Sequence, residues 1–168
     1  MLGVLDASTL DLLAYSPPGW GANLLRGLGN SVLIALGAYG VGMILGTFGA
    51  FGKLYGGPLT RDLLGLYTTL VRAIPELGVI LILYFAVTDL VNQVMLALGY
   101  ERIQISGVAA GIAVLGVVQG AYATEVLRGA IQSVPRGQIE AARAFGMSAA
   151  QVFRRITLPA MLPNALPG

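Results

Sequence analysis

The sequence predicts an all-α membrane protein, a polytopic helical bundle, and three observations lead to this prediction. Of the 168 residues, 56% are hydrophobic and only 11% are charged. The mean hydropathy is +0.78. A soluble domain carries about a quarter of charged residues, so this chain lacks the polar side chains that would cover a water-facing surface. The apolar residues also stand in long runs rather than in a helical stripe, which is typical of helices surrounded by lipid or by other helices.

The first and the last predicted membrane helices are runs without any charge. Residues 27–52 form a stretch of 26 uncharged residues, and residues 103–124 form another of 22. About 20 residues, rising 1.5 Å each, cross the hydrocarbon core of a bilayer. The charges that bound these runs therefore predict membrane helices at about residues 24–52 and 103–124.

A third membrane helix is predicted between them, at residues 63–87. The uncharged pieces in this region are only 9 and 12 residues long, because Arg72 and Glu76 interrupt the apolar run. One helix spans the bilayer here only if both charges face protein or a water-filled cavity. Pro75 is expected to bend that helix. The sequence thus predicts three membrane helices between residues 24 and 124.

Basic residues predict which helix ends face the cytoplasm. The loop at residues 53–62 holds two basic residues and five arginines follow the last membrane helix, whereas the opposite side holds only two. Cytoplasmic loops carry the excess of Lys and Arg. The sequence therefore predicts an external segment at residues 1–23 and a cytoplasmic segment at residues 125–159. Asp6 and Asp11 stand where a signal peptide would be basic, so we expect the first helix to be retained.

Composition excludes several classes of function. The chain has no Cys and no His, which removes thiolate chemistry, disulfides and the commonest acid–base group and metal ligand. The net charge of +2 is too small to indicate a nucleic acid as partner. No paired carboxylates share a credible helix face, so no catalytic, metal or cofactor site is predicted and a membrane-embedded enzyme is disfavoured. Small-residue patterns predict close helix packing instead; they are Gly42 with Gly46, Gly107 with Gly111, and Gly116 with Gly120.

The segment after the last membrane helix changes to apolar residues at helical spacing. Pro135 is expected to stop the helix that arrives from the membrane. Residues 138–145 can form a short helix, and Gly146 is placed to terminate it. Ser148 and Gln151 form the capping-box pattern S-x-x-Q, which predicts the start of a second short helix.

The first of these short helices has two open interpretations. Its periodicity presents Ile139, Ala142 and Phe145 on one side. Such a helix can enter a groove on a soluble partner, or it can lie on the membrane surface as an amphipathic connector. Composition alone does not separate the two.

A longer pattern in this segment resembles the signature loop of permeases from binding-protein-dependent ABC transporters. The pattern is E-A-A, three residues, Gly, nine residues, I-x-L-P, and it is met by Glu140, Ala141, Ala142, Gly146, Ile156, Leu158 and Pro159. Upstream, GAYATEVLRGAIQSVPRGQIEAA from Gly120 and LYTTLVRAIPEL from Leu66 are similar to the polar amino-acid permease family, especially its histidine, lysine, arginine, ornithine and opine branch. The resemblance covers nearly the whole chain after Leu24.

The resemblance implies a type I ABC importer permease fold in the bacterial inner membrane, and a subunit without chemistry of its own. Two permease subunits, identical or homologous, would form the pathway, a cytoplasmic ATPase dimer would hydrolyse ATP, and an extracytoplasmic binding protein would deliver an amino acid, basic rather than neutral. The implied roles are ATPase coupling by Glu140, Ala141, Ala142 and Gly146, and anchoring of the loop against the bundle by Ile156, Leu158 and Pro159.

Charged residues near the helix ends leave further alternatives open. Arg72 and Glu76 could meet the carboxylate or the cationic side chain of a basic amino acid in the pathway. They could instead mark a broken helix near the cytoplasmic face with a role in packing or gating, which we favour. Glu125 is expected to pair with Arg128 at the interface, without a role toward substrate.

The C-terminal end of the chain bears on how the function is interpreted. The resemblance implies two further membrane helices, with residues 160–168 as the start of one, so we expect a fragment, a truncated gene product or a deliberately shortened chain. The rival function is a non-energised pore or a scaffolding membrane protein. A pore does not need the full Glu-Ala-Ala pattern, whereas a permease cannot couple to its ATPase without it.

Overall fold

A computed structural model describes residues 11–15, 19–102 and 106–166, apart from the side chain of Glu76. The helices are α1 (Gly21–Tyr55), α2 (Pro58–Ala73), α3 (Glu76–Ala97), α4 (Gly107–Gln132), α5 (Arg136–Ala144), α6 (Ala149–Val152) and α7 (Leu158–Ala165). A π-helical turn, Phe153–Thr157, joins α6 to α7. Within these described ranges there is no β-strand, and the predicted all-α class is confirmed.

Among the described residues, three helices are long and apolar enough to cross a membrane, which confirms the predicted number. They are Gly21–Tyr55, Leu77–Ala97 and Gly107–Gln132. At 1.5 Å per residue the 35 residues of α1 extend about 52 Å. The hydrocarbon core is about 30 Å thick, so α1 tilts or projects beyond it.

The helices α1 and α4 run parallel in close contact. A Cβ added at Gly37 would lie 2.8 Å from Ile112 Cδ1, and one added at Gly42 would lie 2.6 Å from Gln119 Cγ. The contact positions therefore rise together along both helices. Because parallel helices need a return crossing between them, α3 must run in the opposite direction.

Two of the three predicted Gly-x3-Gly patterns lie on this contact. At all four glycines of the 42/46 and 116/120 pairs, a Cβ would come within 3.0 Å of the opposite helix. The third pair differs, since a Cβ at Gly107 would meet nothing within 4 Å. Small residues let membrane helices approach closely and gain dispersion energy, and the first two pairs act in this way here.

The helix predicted at residues 63–87 is two helices in the structure. Ile74 (φ −94°, ψ 141°) and Pro75 (φ −52°, ψ 131°) separate α2 from α3 in extended conformations. A residue that precedes proline avoids the helical region, and proline itself offers no N–H. Pro75 therefore ends one helix and begins the next instead of bending a single one. The membrane-capable helix is Leu77–Ala97, further along the chain than predicted.

Much of the predicted cytoplasmic loop at residues 53–62 belongs to α2. Pro58 lies in the first turn of α2, where its missing N–H is tolerated. Thr68 is 2% exposed on the inner face, which packs on α1 and α4. The outward face carries exposed Leu59, Leu63, Leu66 and Leu70.

The last membrane helix also extends beyond its predicted end at residue 124. Ser106 caps the start of α4, because its Oγ accepts the Ala109 N–H at 3.2 Å. At the other end the helix continues to Gln132, so the predicted cytoplasmic segment at residues 125–159 begins inside a helix. Some residues of the predicted segments 1–23, 103–124 and 160–168 lie outside the described residues, namely 1–10, 16–18, 103–105 and 167–168.

Candidate functional site

The segment predicted to couple to a partner folds as two short helices joined by a turn. Pro135 occupies the N-cap of α5, as expected from its position after α4. At the start of α6, Ser148 Oγ accepts the Gln151 N–H at 3.4 Å, and Gln151 Oε1 accepts the Ser148 N–H at 2.8 Å. The predicted capping box is therefore confirmed, and it satisfies two backbone donors that the helix itself leaves unpaired.

The turn between the two helices depends on Gly146. Its φ is +77°, which is the left-handed region that favours glycine. The Gly146 N–H donates to the Arg143 carbonyl at 2.9 Å, and the Met147 N–H donates to the Ala142 carbonyl at 3.2 Å. These two bonds form a Schellman motif, so Gly146 terminates α5 as predicted.

The covered side and the exposed side of α5 do not match the docking face that the sequence predicts. Ile139 packs against a buried cluster formed by α4 and α7, and Ala142 is only 5% exposed where α5 contacts α6 and the π-helical turn. Glu140 and Ala141 point outward, and Phe145 is 84% exposed. The expectation that Ile139, Ala142 and Phe145 share one docking face is therefore wrong, because the chain itself covers the first two.

The residues predicted to anchor the loop lie in the π-helical turn and at the start of α7. The Leu158 N–H donates to the Phe153 carbonyl, five residues earlier. In an α-helix, Pro159 would clash with the carbonyl four residues before it, and the wider π turn accommodates it. Leu158 packs against the buried cluster, whereas Pro159 is exposed and Ile156 is half-buried. Anchoring by these three residues stays a prediction.

A buried ionic network joins α1, α2 and α4 at one end of the bundle. Lys53 Nζ forms an ion pair with Glu125 Oε1 and donates to Thr68 Oγ1 at 2.6 Å. Glu125 Oε2 accepts hydrogen bonds from Arg128 Nη2 at 2.9 Å and from Arg128 Nε at 3.0 Å. The side chains of Lys53 and Glu125 are only 11% and 16% exposed. The predicted Glu125–Arg128 pair is confirmed, and sequence reasoning missed Lys53, its second partner.

The network has the features of a structural clamp. Removing charges from water is costly, and this cost is offset only where geometry is good and the remaining donors and acceptors are satisfied. Among the described residues, no buried side-chain nitrogen or oxygen lacks a hydrogen-bond partner. The same part of the chain holds no group of three potential metal ligands. The arrangement can hold three helix ends together.

Arg72 and Glu76, the predicted pathway or gating residues, do not share one helix. The break at Pro75 separates them, so the four-residue spacing on one helical face does not hold. The Arg72 guanidinium carbon lies 5.7 Å from the centroid of the Tyr122 ring, a cation–π contact between α2 and α4. The side chain of Glu76 lies outside the described residues, and the role of this pair stays a prediction.

Comparison with known proteins gives matches over most of the chain. A family model described as "Binding-protein-dependent transport system inner membrane component" matches residues 23–168. The histidine/lysine/arginine/ornithine transport system permease protein HisQ of Escherichia coli strain K12 is 41% identical over 150 residues, which are 89% of this chain and 66% of the relative. The octopine transport system permease protein OccQ of Rhizobium radiobacter is 37% identical over 158 residues, 94% of this chain and 67% of the relative. The chain thus spans about two thirds of the length of these curated relatives.

The fold is also similar to a solved structure, the crystal structure of an amino acid ABC transporter with histidines. The TM-score is 0.59 at 27% sequence identity, and the match covers 85% of this chain and 66% of that one. This match confirms the ABC permease fold that the sequence predicts.

Proposed function

The chain belongs to the family of binding-protein-dependent transport system inner membrane components, and from that membership we propose that it is the permease subunit of an ATP-driven amino-acid importer. Its relatives are transport permeases, so the prediction of a transporter subunit and not an enzyme is confirmed. The observation that carries the energised function is the exposed face of α5. The described part of the chain does not cover this face, although the opposite face packs on the bundle.

This exposed face has the chemistry of a helix that enters a groove on the ATPase. Glu140, Ala141, Ala144 and Phe145 are all exposed and lie at helical spacing on one side. The two alanines allow close approach of a partner, Glu140 can pair with a basic group, and Phe145 is an aromatic anchor of the kind that dominates interface energies. Coupling by Ala142 and Gly146 stays part of the proposal, through the shape of α5: Ala142 is buried beneath the helix and Gly146 ends it.

The packing of α5 supports transmission of ATPase movement into the membrane. Ile139 contacts a cluster that contains Ala130 near the end of α4, Val134 just after that helix, and Met161 of α7. Between Gly107 and Gln132, α4 is a continuous helix. A displacement of α5 by the ATPase would therefore move α4 and α7 together.

The orientation that we propose places the N-terminus outside and α5 in the cytoplasm. Lys53 and Glu125 meet at one end of the parallel pair α1 and α4, so the basic residues that follow each helix lie on one side of the membrane. Positive charge marks the cytoplasmic side. The remaining partners are a cytoplasmic ATPase dimer, a second permease subunit, an extracytoplasmic amino-acid-binding protein and the lipid of a bacterial inner membrane.

For substrate we propose basic amino acids. The proposal is supported by the relatives, which are named for histidine, lysine, arginine and ornithine in one case and for octopine in another. Arg72 and Glu76 lie at the break between α2 and α3, where ionisable residues in a membrane protein are functional candidates. A role in the pathway or in its gating is proposed for both.

The test compares outward-facing α5 variants with a matched aromatic control. The full chain is co-expressed with its ATPase, its second permease subunit and its binding protein. Co-purified ATPase and energised uptake of labelled arginine, histidine and glutamine are measured for Glu140→Lys, Phe145→Ala and Phe48→Ala. Phe48 is a matched control because it is 74% exposed and lies on α1, away from α5. Loss of an interface hot spot of 2 kcal/mol or more weakens binding by at least about thirtyfold.

The outcomes separate coupling from substrate preference. We expect Glu140→Lys and Phe145→Ala to lose ATPase and uptake while membrane levels stay normal, and Phe48→Ala to retain both. If the two α5 variants keep ATPase and uptake, α5 is a membrane-surface connector, and the non-energised pore or scaffold becomes the better interpretation. If coupling is lost as expected but the wild type takes up glutamine as well as arginine, the preference for basic substrates is wrong and the importer stands.

A further inference from the structure

A polar cavity opens beside the ionic network, at the end of the bundle where α1, α2 and α4 meet. Its volume is about 440 Å³. The three helices contribute charged side chains to its wall. Gly65 leaves open space, since a Cβ there would meet nothing within 4 Å. The residues that line the cavity are Lys53, Leu54, Arg61, Gly65, Arg128 and Gln132.

The charge around this cavity is unbalanced. Three of the six lining residues are cationic and none is acidic. Glu125, the only carboxylate in the adjoining network, is already shared between Lys53 and Arg128. Arg61 donates its Nε to the Lys53 carbonyl at 3.1 Å, and its two terminal nitrogens make no hydrogen bond or ion pair within the ranges that the structure describes. The cavity therefore presents an excess of positive charge with free guanidinium donors.

The cavity lies where the apolar part of the helices ends. Lys53 is the first charge after the 26 uncharged residues of α1, and Glu125 is the first after the uncharged run of α4. Because Lys53 and Glu125 form an ion pair, both boundaries fall at the same depth, where the hydrocarbon core gives way to the lipid headgroups. At this level of a bilayer, the headgroups of anionic lipids are the most concentrated anions.

We propose that this cavity binds the phosphate group of an anionic phospholipid, with Arg61 as the principal contact. The terminal nitrogens of a guanidinium match the spacing of phosphate oxygens and form two parallel charge-assisted hydrogen bonds. Arg128 and Lys53 add positive potential from the cavity wall. The site requires only that α1 and α4 cross a bilayer, so it does not depend on the transport activity proposed above.

The test measures lipid binding to the full chain in nanodiscs of phosphatidylcholine with an increasing fraction of phosphatidylglycerol. Retained lipid is counted by native mass spectrometry, and thermal stability is followed in parallel. Arg61→Gln removes the principal contact, and Gly65→Leu fills the cavity without changing charge. Arg155→Gln is the matched control, because Arg155 is an exposed arginine outside the cavity and the change in net charge is the same. Inorganic phosphate is added separately as a soluble anion.

Wild type and Arg155→Gln are expected to retain phosphatidylglycerol in preference to phosphatidylcholine. Removing one basic contact at the membrane surface weakens retention about fivefold, so Arg61→Gln should lose the preference. Gly65→Leu should lose it as well, because its side chain occupies the cavity. Both variants should melt normally in pure phosphatidylcholine. Equal losses in Arg61→Gln and Arg155→Gln would reduce the effect to general surface charge and overturn the proposal. Stabilisation by inorganic phosphate alone, equal to that by the lipid, would overturn it in favour of a soluble-anion site.

Discussion

Replacing Glu125 by glutamine should destabilise the protein more than replacing Lys53 by methionine. In the Glu125→Gln variant, Lys53 and Arg128 both lose their only carboxylate partner among the described residues. In Lys53→Met, Glu125 keeps the two hydrogen bonds from Arg128 and one from Thr68, at 3.1 Å. Removing one partner of a buried ion pair costs about 3–5 kcal/mol. We expect Glu125→Gln at the upper end of that range and Lys53→Met at or below the lower end.

The double variant tests whether Lys53 and Glu125 stabilise the protein as a pair or as two independent charges. In Lys53→Met/Glu125→Gln no buried lysine is left unpaired, and Arg128, whose side chain is 35% exposed, can turn toward water. The combined loss should therefore fall short of the sum of the two single losses by about 2 kcal/mol, a typical coupling energy for residues in contact. Free energies of unfolding are measured by denaturant titration of the full chain in bicelles.

The control for this cycle is Arg26→Gln, an exposed charge at the opposite end of α1, which should change stability by less than about 0.5 kcal/mol. Additivity of the Lys53 and Glu125 losses to within about 0.5 kcal/mol would refute the reasoning. It would mean that the two side chains do not stabilise each other across α1 and α4.

Further substitutions test the helix contact and the turn after α5. Gly116→Leu places a Cβ 2.7 Å from an atom of α1, so it should separate α1 from α4 and cost about 3 kcal/mol or more in thermal melts. Gly40→Leu is the control and should be tolerated, because a Cβ there meets nothing within 4 Å. Gly146→Ala places a Cβ on a residue with φ +77° and should cost about 1–2 kcal/mol. This loss of stability should appear as faster amide exchange in α5. Gly137→Ala lies inside the same helix, where alanine is favoured over glycine, and it should slow the exchange. Ser148→Ala removes the N-cap of α6 and should cost about 1 kcal/mol; unchanged exchange in α6 would show that the cap is dispensable.

Two of the three membrane helices could be predicted because each depends on charge-free length alone. The runs at residues 27–52 and 103–124 are each long enough to span a bilayer, and the structure has α1 over the first and α4 from Gly107 onward in the second. The helix ends were harder to predict. Helical hydrogen bonds continue past Glu125, the charge that ends the predicted run at residue 124, so α4 reaches Gln132.

The main difference from the predicted helices lies at Pro75. Arg72 and Glu76 interrupt the apolar run there, and the sequence predicts one bent helix, whereas the extended conformations of Ile74 and Pro75 separate two helices. A residue that precedes proline avoids the helical region, so the local sequence already favours this break. The predicted docking face of α5 is wrong for a different reason. Periodicity identified Ile139 and Ala142 as apolar, but whether a partner or the chain itself covers them depends on tertiary packing.

The ionic network shows which further signal the sequence did contain. Lys53 and Glu125 are 72 residues apart, and each was interpreted only as the charge that ends a membrane run. The two Gly-x3-Gly patterns that pack α1 on α4 end at Gly46 and Gly120, seven residues before Lys53 and five before Glu125. Because the two helices are predicted to run in the same direction, matching those glycines places the two charges within about half a turn of each other along the helix axes. A lysine and a glutamate at one depth between packed helices are expected to pair, since neither is tolerated alone there. The packing pattern and the charge pattern predict the network together, and neither predicts it alone.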